Sequence, residues 1–293
     1  MFIIKHKKIF VLISVFLVIF SITAISLSGL KLGIDFKGGS STEIIFSNGL
    51  PDKQVLQKSI SNIGLGEALI VQTGDNGYSI KTRALTESEH ESLLALFGAD
   101  ATEKSFSSIG PSVGAELARK SIILFVLVSF GIVFFIAFSF RKVSKPVSSW
   151  KYGFIAITTL IHDIIIPVGI FSVISYFYGH EVDTLFVVAI LTILGLSVSD
   201  TIVVFDRIRE NIRSGGYKTF EETVGNSIKQ VYIRSIATSS TVIIVLLALV
   251  FFGPKSTKIF ALMLTAGMFF GTYSSLFLAS PLLIMAKNWS ENK

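Results

Sequence analysis

The 293-residue chain contains no cysteine, and only 16% of its residues are charged. Without cysteine there can be no disulfide, thiolate metal site or cysteine nucleophile. A soluble globular domain carries about 25% charged residues, so the small charged fraction argues against that class. Because 51% of the residues are apolar and the mean hydropathy is +0.69, the composition indicates a membrane protein.

The chain also lacks the sequence signatures of most catalysts. Its four histidines do not have the spacing of a zinc site, and no pattern pairs a nucleophile with a base. The glycine-rich segment 33–39 has no following phosphate-binding helix and no Walker lysine, so nucleotide binding is rejected. We therefore predict a protein that is not an enzyme and that holds no metal and no cofactor.

Long uncharged runs recur along the chain. About 20 apolar residues cover the roughly 30 Å of a bilayer core. The sequence therefore predicts six transmembrane helices, at Ile9–Leu27, Ser121–Phe140, Tyr152–Tyr178, Thr184–Phe205, Ser235–Gly253 and Ile259–Ala286. The first run is longer than the core of about 7–15 residues in a signal peptide, so a retained anchor is favoured over a cleaved leader.

The net charge of +6 follows the predicted topology. Lys and Arg cluster before the first span, at 141–151 and at 206–218, whereas the loop 178–183 has none. Lys255 and Lys258 in one short outer loop are a mild exception. This alternation fits the positive-inside rule with both termini in the cytoplasm, so the basic charge predicts orientation in a lipid bilayer and no nucleic-acid partner.

About 90 residues with a soluble composition separate the first two spans. Their strand and helix signals follow the order β-α-β-β-α-β, with a hairpin signal at Asn76-Gly77 and a capping box from Thr86 to Glu89. This order predicts a ferredoxin-like α+β domain. The predicted fold is an α-helical polytopic membrane protein with a first transmembrane helix (1–29), an extracytoplasmic ferredoxin-like domain (30–118) and a five-helix transmembrane bundle (119–293).

Asp200 lies inside the fourth apolar run, where an ionised carboxylate costs on the order of 3 kcal/mol. The fifth span runs antiparallel to the fourth, and it places Arg234, Ala237, Thr238 and Thr241 on one stripe at similar depth. We predict an Asp200–Arg234 pair that forms part of a proton path. The alternatives are a static salt bridge that fixes two helices, or an Asp200 side chain that extends to the cytoplasmic face.

Two further polar residues, His162 and Asp163, lie near the centre of the third apolar run. Pro167 cannot donate the backbone hydrogen bond to the carbonyl of residue 163, which predicts a kink beside the carboxylate. A role for His162 and Asp163 in the proton path and a polar contact between packed helices both stay open.

Two groups of small residues predict mechanical roles. The segments "GIDFKGG" and "IGPSVGAEL" flank the outer domain, and we interpret them as hinges, with Gly33, Asp35, Gly38 and Gly39 as the hinge residues of the first segment. In the last span, Gly267, Gly271 and Ser275 are four residues apart. Such a stripe predicts a helix-packing face, in this chain or towards a partner helix.

Four of these stretches occur in the order known from one family. "LGIDFKGG", "IGPSVGAELA", "HD" and "LGLSVSDTIVVFDRIREN" together resemble the SecF branch of the SecD/SecF family, in the resistance-nodulation-division superfamily. The resemblance covers nearly the whole chain. One departure is Ser199, where members of the family often have asparagine.

The resemblance implies a subunit that assists late steps of preprotein translocation through SecYEG, driven by the proton-motive force. Its implied partners are SecD, as a heterodimer, the SecA motor, the preprotein and, as further candidates, YajC and YidC. It also implies location in the bacterial inner membrane, the role of the essential transmembrane aspartate for Asp200 and that of its arginine partner for Arg234. The coupling ion is expected to be the proton, although the sequence leaves sodium open.

Two functions of other classes fit part of the same pattern. A small-molecule proton antiporter of the same superfamily would share the intramembrane aspartate, but such exporters usually carry much larger outer domains. A passive translocase scaffold would share the topology and the packing face. Only the titration of Asp200 separates the scaffold from a proton-driven subunit.

Overall fold

The computed structural model describes residues 2–98, 100–139, 147–215 and 217–291. The predicted end of the second span at Phe140 and the basic residues 141–146 lie outside the described residues. The helices are α1 (Phe2–Lys5), α2 (Lys7–Ser28), α3 (Ile34–Lys37), α4 (Lys53–Asn62), α5 (Glu87–Phe97), α6 (Pro111–Ser139), α7 (Ser149–Tyr178), α8 (Thr184–Arg213), α9 (Phe220–Phe252), α10 (Lys255–Ser274) and α11 (Ser280–Glu291). The strands are β1 (Gly39–Phe46), β2 (Leu69–Thr73), β3 (Gly77–Thr82) and β4 (Ala101–Ile109).

Among the residues that the structure describes, six segments are long and apolar enough to cross a membrane, as the sequence predicts. They are α2, α6, α7, α8, α9 and the continuous segment from α10 to α11, which a π-helical turn at Ser275–Ala279 interrupts. We refer to them as the first to sixth spans. The helix α7 continues through Pro167.

The chain divides into two compact units. The membrane unit contains the chain up to Leu30, Leu124–Tyr178 and the chain from Leu185 onward. The second unit contains Lys31–Ile123 together with Gly179–Thr184, and we call it the outer unit after its predicted location. The predicted outer domain at 30–118 therefore differs from this unit, which takes in a further part of α6 and the loop between the third and fourth spans.

The outer unit has the ferredoxin-like arrangement that the sequence predicts. Its four strands are antiparallel in the order β2-β3-β1-β4. Apolar side chains from β1, β2, β3, α4 and α5 form one buried core that includes Ile44, Ile60, Ile70, Ile80 and Leu93. Alternate residues of β1 and β3 point into this core, as the period of two in a half-buried strand requires.

The hairpin signal predicts the correct strands but a different turn. Thr73 pairs with Gly77, so the turn contains three residues, Gly74 to Asn76. A Cβ atom on Gly77 would lie 2.8 Å from the carbonyl oxygen of Thr73 and 3.0 Å from that of Ile44. Glycine is therefore needed at this position because the neighbouring backbones come close, and Gly77 itself belongs to β3.

The membrane unit is packed around α7. In an apolar 18-residue window of each helix, 61% of the residues are buried in α7, against 6% in α6 and 11% in α9. The first span approaches α7 closely, since a Cβ atom on Gly169 would lie 2.4 Å from the Cβ atom of Ser21. The side chain of Ser172 also donates a hydrogen bond of 2.9 Å to the carbonyl oxygen of Gly29. The polar residues of α7 are consequently enclosed by other helices.

Candidate functional site

Asp163 is fully buried in α7, with an exposed fraction of 0%. Its Oδ2 atom accepts hydrogen bonds from the hydroxyl of Ser274, at 2.6 Å, and from the hydroxyl of Ser197. Its Oδ1 atom lies 2.8 Å from Nδ1 of His162. A carboxyl group at this depth needs such partners because burying an unsatisfied or unpaired polar group is costly. The carboxyl group of Asp163 is thus fixed by α7, by α8 and by α10.

The neighbouring His162 is also buried, but only one of its ring nitrogens is satisfied. Its Nε2 atom has no hydrogen-bond partner among the residues that the structure describes. The ring stacks on Tyr273, with 6.2 Å between the ring centres. The hydroxyl of Tyr273 in turn donates to the carbonyl oxygen of Phe10 at 3.0 Å. His162 therefore offers one nitrogen that can hold a proton or a water molecule.

Asp200 lies on α8 in a different environment, half-buried and surrounded by hydroxyl groups. Ser275 donates to its Oδ2 atom over 3.4 Å, and the hydroxyls of Thr272 and Ser235 face the same carboxyl group. The hydroxyl of Ser235 has no hydrogen-bond partner in the described part of the chain. Thr272 donates to Ser239 at 2.6 Å. The carboxyl group of Asp200 is therefore held less tightly than that of Asp163.

Two adjacent serines in the sixth span each contact one of the two carboxyl groups. Ser274 bonds Asp163 and Ser275 bonds Asp200, at the point where α10 changes to the π-helical turn. The same hydroxyls lie 3.0 Å from the backbone carbonyl oxygens three residues earlier. A hydroxyl has a single proton to donate, so each serine serves either its carboxyl group or the backbone. Single π-helical turns inside α-helices occur frequently at functional sites.

The predicted pair of Asp200 with Arg234 is not formed. Arg234 is exposed on α9, and among the described residues no ion pair joins it to Asp200. The buried face of α9 instead contains Ser235 and Ser239, one position further along the helix. Hydroxyls therefore occupy the place predicted for the guanidinium group. The role of Arg234 in proton coupling stays a prediction.

The small residues of the sixth span pack against α8 within this chain. A Cβ atom on Gly267 would lie 2.3 Å from Cγ1 of Ile193. A Cβ atom on Gly271 would lie 3.4 Å from Cβ of Ser197 and 3.8 Å from Oδ2 of Asp163. These glycines let α10 approach the site, and Ser275, on the same predicted stripe, contacts Asp200.

Close contacts surround the four predicted hinge residues, Gly33, Asp35, Gly38 and Gly39. Gly38 has a φ of +77°, and a Cβ atom there would lie 2.7 Å from Cα of Pro111. Gly39 has a φ of +141°, and its Cβ atom would lie 2.8 Å from the carbonyl oxygen of Thr82. Glycine is required at both positions by backbone conformation and by space. The hinge itself stays a prediction.

Several residues of the site were not predicted from the sequence: Ser239, Thr272, Tyr273 and Ser274. A signal for three of them exists in "GTYSS", because four consecutive hydroxyl side chains follow Gly271 inside an apolar run. The described residues contain no group of three or more His, Cys, Asp or Glu side chains that could hold a metal ion.

The fold and the site define a class of protein. It is a multi-pass membrane protein with a small α+β domain and with two carboxyl groups, one buried and one half-buried, in a site lined by hydroxyls. Intramembrane carboxylates of this kind are costly, and they typically mark an ion or proton pathway.

Comparison with known proteins identifies the family. Residues 89–289 match the family described as "Protein export membrane protein SecD/SecF, C-terminal", and residues 23–48 match the "SecD/SecF GG Motif". The protein translocase subunit SecF of Thermobaculum terrenum is 40% identical over 98% of this chain and 94% of that protein. The chain belongs to the SecD/SecF family of protein-export membrane proteins, and its role is accessory to Sec protein export.

Longer relatives contain this chain as one part. The translocase subunit SecDF of Bacillus subtilis is 31% identical over 97% of this chain but only 38% of its own length. The crystal structure of SecDF from Thermus thermophilus matches with a TM-score of 0.83 and 30% identity, over 97% of this chain and 38% of that one. The chain therefore spans about two fifths of the SecDF proteins, which supports association with SecD.

Proposed function

We propose that this chain, together with a SecD subunit, uses the proton-motive force to assist late steps of preprotein translocation. The observation that carries the proposal is that adjacent serines of the sixth span donate to two carboxyl groups, Ser274 to Asp163 and Ser275 to Asp200. Carboxyl groups held by hydroxyls that can change partner are suited to accepting and releasing a proton. The proton is the proposed coupling ion, and no cofactor and no enzymatic step are part of the proposal.

The different environments of the two carboxyl groups assign them different roles. Asp163, fully buried with three partners, fixes the geometry of the site. Asp200, half-buried with one long hydrogen bond, is the proton carrier. His162 contributes its unpaired Nε2 atom to the same path.

Protonation of Asp200 would act on the sixth span through Ser275. An ionised Asp200 attracts the hydroxyl proton of Ser275, whereas a neutral one releases it to the carbonyl oxygen of Thr272, 3.0 Å away. The protonation state of Asp200 thereby changes a hydrogen bond at the π-helical turn. A proton that crosses a potential of 100 mV releases about 2.3 kcal/mol, which is within the usual range of allosteric coupling energies.

The face of α9 that carries Arg234 supports contact with the SecD subunit. Thr238 and Thr241 lie on the same exposed face, and each donates to a backbone carbonyl of its own helix. A membrane helix with an arginine and hydroxyls on its outer face is poorly matched to lipid. We infer that SecD covers this face and that Arg234 acts in the proton path within the heterodimer.

The wider assembly and the location are inferred from the family and from the distribution of charge. The basic residues near Lys5 and at 206–218 favour the cytoplasmic side of the bacterial inner membrane for both termini. SecYEG, SecA and the preprotein are the proposed partners, with YajC and YidC as further candidates. The small-molecule antiporter is not favoured, because the relatives in the comparison are named as translocase subunits.

The test is protein export in inverted membrane vesicles that contain this chain and SecD, with and without a proton gradient. Asp200→Asn keeps the shape and hydrogen bonding but cannot titrate, so we expect the gradient-dependent part of export to disappear. The control is Asp206→Asn, on the same helix but in an exposed ion pair with Arg209 at 3.5 Å, a kind that contributes little.

The outcomes separate the candidate functions. Loss of gradient-dependent export in Asp200→Asn, with normal co-purification of SecD, supports the proton carrier. If gradient-dependent export survives in Asp200→Asn but is lost in Asp163→Asn, Asp163 is the carrier. If both variants respond to the gradient like the unmodified protein, this site does not carry the coupling, and the chain acts as a scaffold.

A further inference from the structure

The loop between the third and fourth spans is built into the outer unit. The backbone amide of Val182 donates to the carbonyl oxygen of Lys31 at 2.7 Å, and that of Gly33 donates to the carbonyl oxygen of Val182 at 2.8 Å. Leu32 and Val182 form a parallel β-bridge. The loop is thus paired, backbone to backbone, with the segment that precedes β1.

Side chains reinforce this pairing at both of its ends. Lys81 on β3 and Glu181 form an ion pair of 2.7 Å, with exposed fractions of 24% and 17%. The Oδ2 atom of Asp35 accepts two hydrogen bonds from Thr184, one of 2.8 Å from the backbone amide and one of 2.7 Å from the hydroxyl. We call the Asp35–Thr184 contact the latch.

The latch closes on the first residue of the helix that carries the proton site. Thr184 begins α8, and Asp200 follows sixteen residues later in the same uninterrupted helix, a distance of about 24 Å at 1.5 Å per residue. The first amides of a helix have no partner within the helix. Asp35, 149 residues earlier in the sequence, accepts the hydrogen bond of the Thr184 amide.

We propose that Asp35 is a positioning residue: it fixes Thr184, the first residue of α8, within the outer unit, and through this helix it couples proton binding at Asp200 to the outer unit. This inference rests on the proposed function. The latch stays closed throughout the cycle and acts as a rigid link. A cap that only stabilises α8 would have no such effect on coupling.

The first test compares substitutions of the latch in the vesicle assay with SecD. Asp35→Ala removes both hydrogen bonds, and we expect gradient-dependent export to fall at least fivefold while gradient-independent export and co-purification with SecD stay unchanged. Asp35→Asn keeps an acceptor oxygen and is the matched control, since Asn and Asp cap helices about equally well. Thr184→Val removes one of the two donors and should give an intermediate loss.

An engineered disulfide can replace the latch, and it tests whether Asp35→Ala fails because the link is lost or because the protein misfolds. Because the chain has no cysteine, Leu32→Cys and Val182→Cys can be added to Asp35→Ala without competing thiols in this chain. Bridged residues lie about 4.8 Å apart, within the range that a disulfide spans. Oxidation in the assembled vesicles should restore gradient-dependent export, and reduction of the same vesicles should abolish it again.

Hydrogen exchange provides a readout that does not depend on export. In Asp35→Ala, the amides in the first turn of α8 should exchange about fivefold faster, the change expected when a helix loses an N-cap. Unchanged exchange there would overturn the latch as a structural contact.

The remaining outcomes distinguish this inference from the proposed function. If Asp200→Asn loses gradient-dependent export but Asp35→Ala keeps it, the latch is not a link and only this inference fails. It also fails if the disulfide forms without restoring export, because a rigid link would then be insufficient. If Asp200→Asn keeps gradient-dependent export, the proposed function fails, and the latch has no proton-driven movement to transmit.

Discussion

The close packing of the outer unit around Gly38 gives a prediction that separates a packed junction from a flexible hinge. Gly114, in the first turns of α6, faces the segment that carries Gly38. A Cβ atom on Gly114 would lie 2.7 Å from the backbone nitrogen of Gly38 and 3.2 Å from the carbonyl carbon and oxygen of Phe36. All three are backbone atoms, so no side chain can rotate away to make room. Gly114→Ala therefore requires the two segments to separate.

The magnitude follows from two opposing effects. Bringing the contact from 2.7 Å to an ordinary distance moves the backbone by about 0.7 Å, and overpacking of this kind costs about 1–3 kcal/mol. Replacing glycine by alanine inside a helix contributes about 0.5–1 kcal/mol in the opposite direction. Gly131→Ala in the same helix is the matched control, because a Cβ atom there meets no atom of the described residues within 4 Å. We expect Gly114→Ala to be less stable than Gly131→Ala by about 2 kcal/mol.

The assay is hydrogen exchange of the full chain in lipid nanodiscs, followed in β1 and α3. A local loss of about 2 kcal/mol raises the exchange rate about thirtyfold, since each 1.4 kcal/mol is a factor of ten. Gly131→Ala should leave these segments unchanged. If Gly114→Ala exchanges like the control, the segments separate at no cost, and the hinge interpretation of Gly33–Gly39 and Ile109–Leu117 gains support.

Two further predictions concern packing in the membrane and a carboxylate outside it. Gly267→Ala should destabilise the chain by about 1–3 kcal/mol in thermal unfolding, because its Cβ atom would lie 2.3 Å from Ile193. The double variant Gly267→Ala with Ile193→Ala should lose less stability than the two single variants together. Gly195→Ala is the control, because its Cβ atom would meet no atom of the described residues within 4 Å. Arg83 donates two hydrogen bonds to Glu89 and, with the Thr86 amide, lowers the pKa of that carboxyl group to about 2. The stabilisation from this carboxylate is present above pH 4.5 and is lost as the pH falls towards 2. Arg83→Gln should raise the pKa of Glu89 in an NMR titration. An unchanged titration midpoint for Glu89 would show that Arg83 does not cause the low pKa.

The regular parts of the fold were predictable because they depend on local patterns. The six spans follow from long apolar runs, only two of which contain a charged residue, Asp163 or Asp200. The capping box predicted the start of α5, where the amide of Thr86 donates to Glu89 at 2.9 Å. The loop docked on the outer unit left no such signal. Its contacts are largely backbone hydrogen bonds between Val182 and residues about 150 positions earlier, which periodicity does not report.

The sequence predicted the two carboxylates of the site but not the hydroxyl residues that contact them, for two physical reasons. The start of the fifth span, "RSIATSST", has hydroxyl residues on more than one face, so spacing did not decide which face is buried, and charge complementarity favoured Arg234 over Ser235. In the sixth span, a stripe at a constant spacing of four describes one face of the helix. It therefore included Ser275 and omitted Ser274, which lies on the neighbouring face.

The rotation between adjacent residues of a helix explains how the sixth span serves two carboxyl groups. In a regular α-helix adjacent residues are rotated by about 100°, so the side chains of Ser274 and Ser275 point in different directions. Asp163 on α7 and Asp200 on α8 lie on two different neighbours of the sixth span, and each serine reaches one of them. The wider turn begins at this pair, where the backbone has hydrogen-bonding options that a continuous α-helix lacks. A change in the protonation of Asp200 would therefore act on the sixth span at the position where its backbone hydrogen bonds can most easily rearrange.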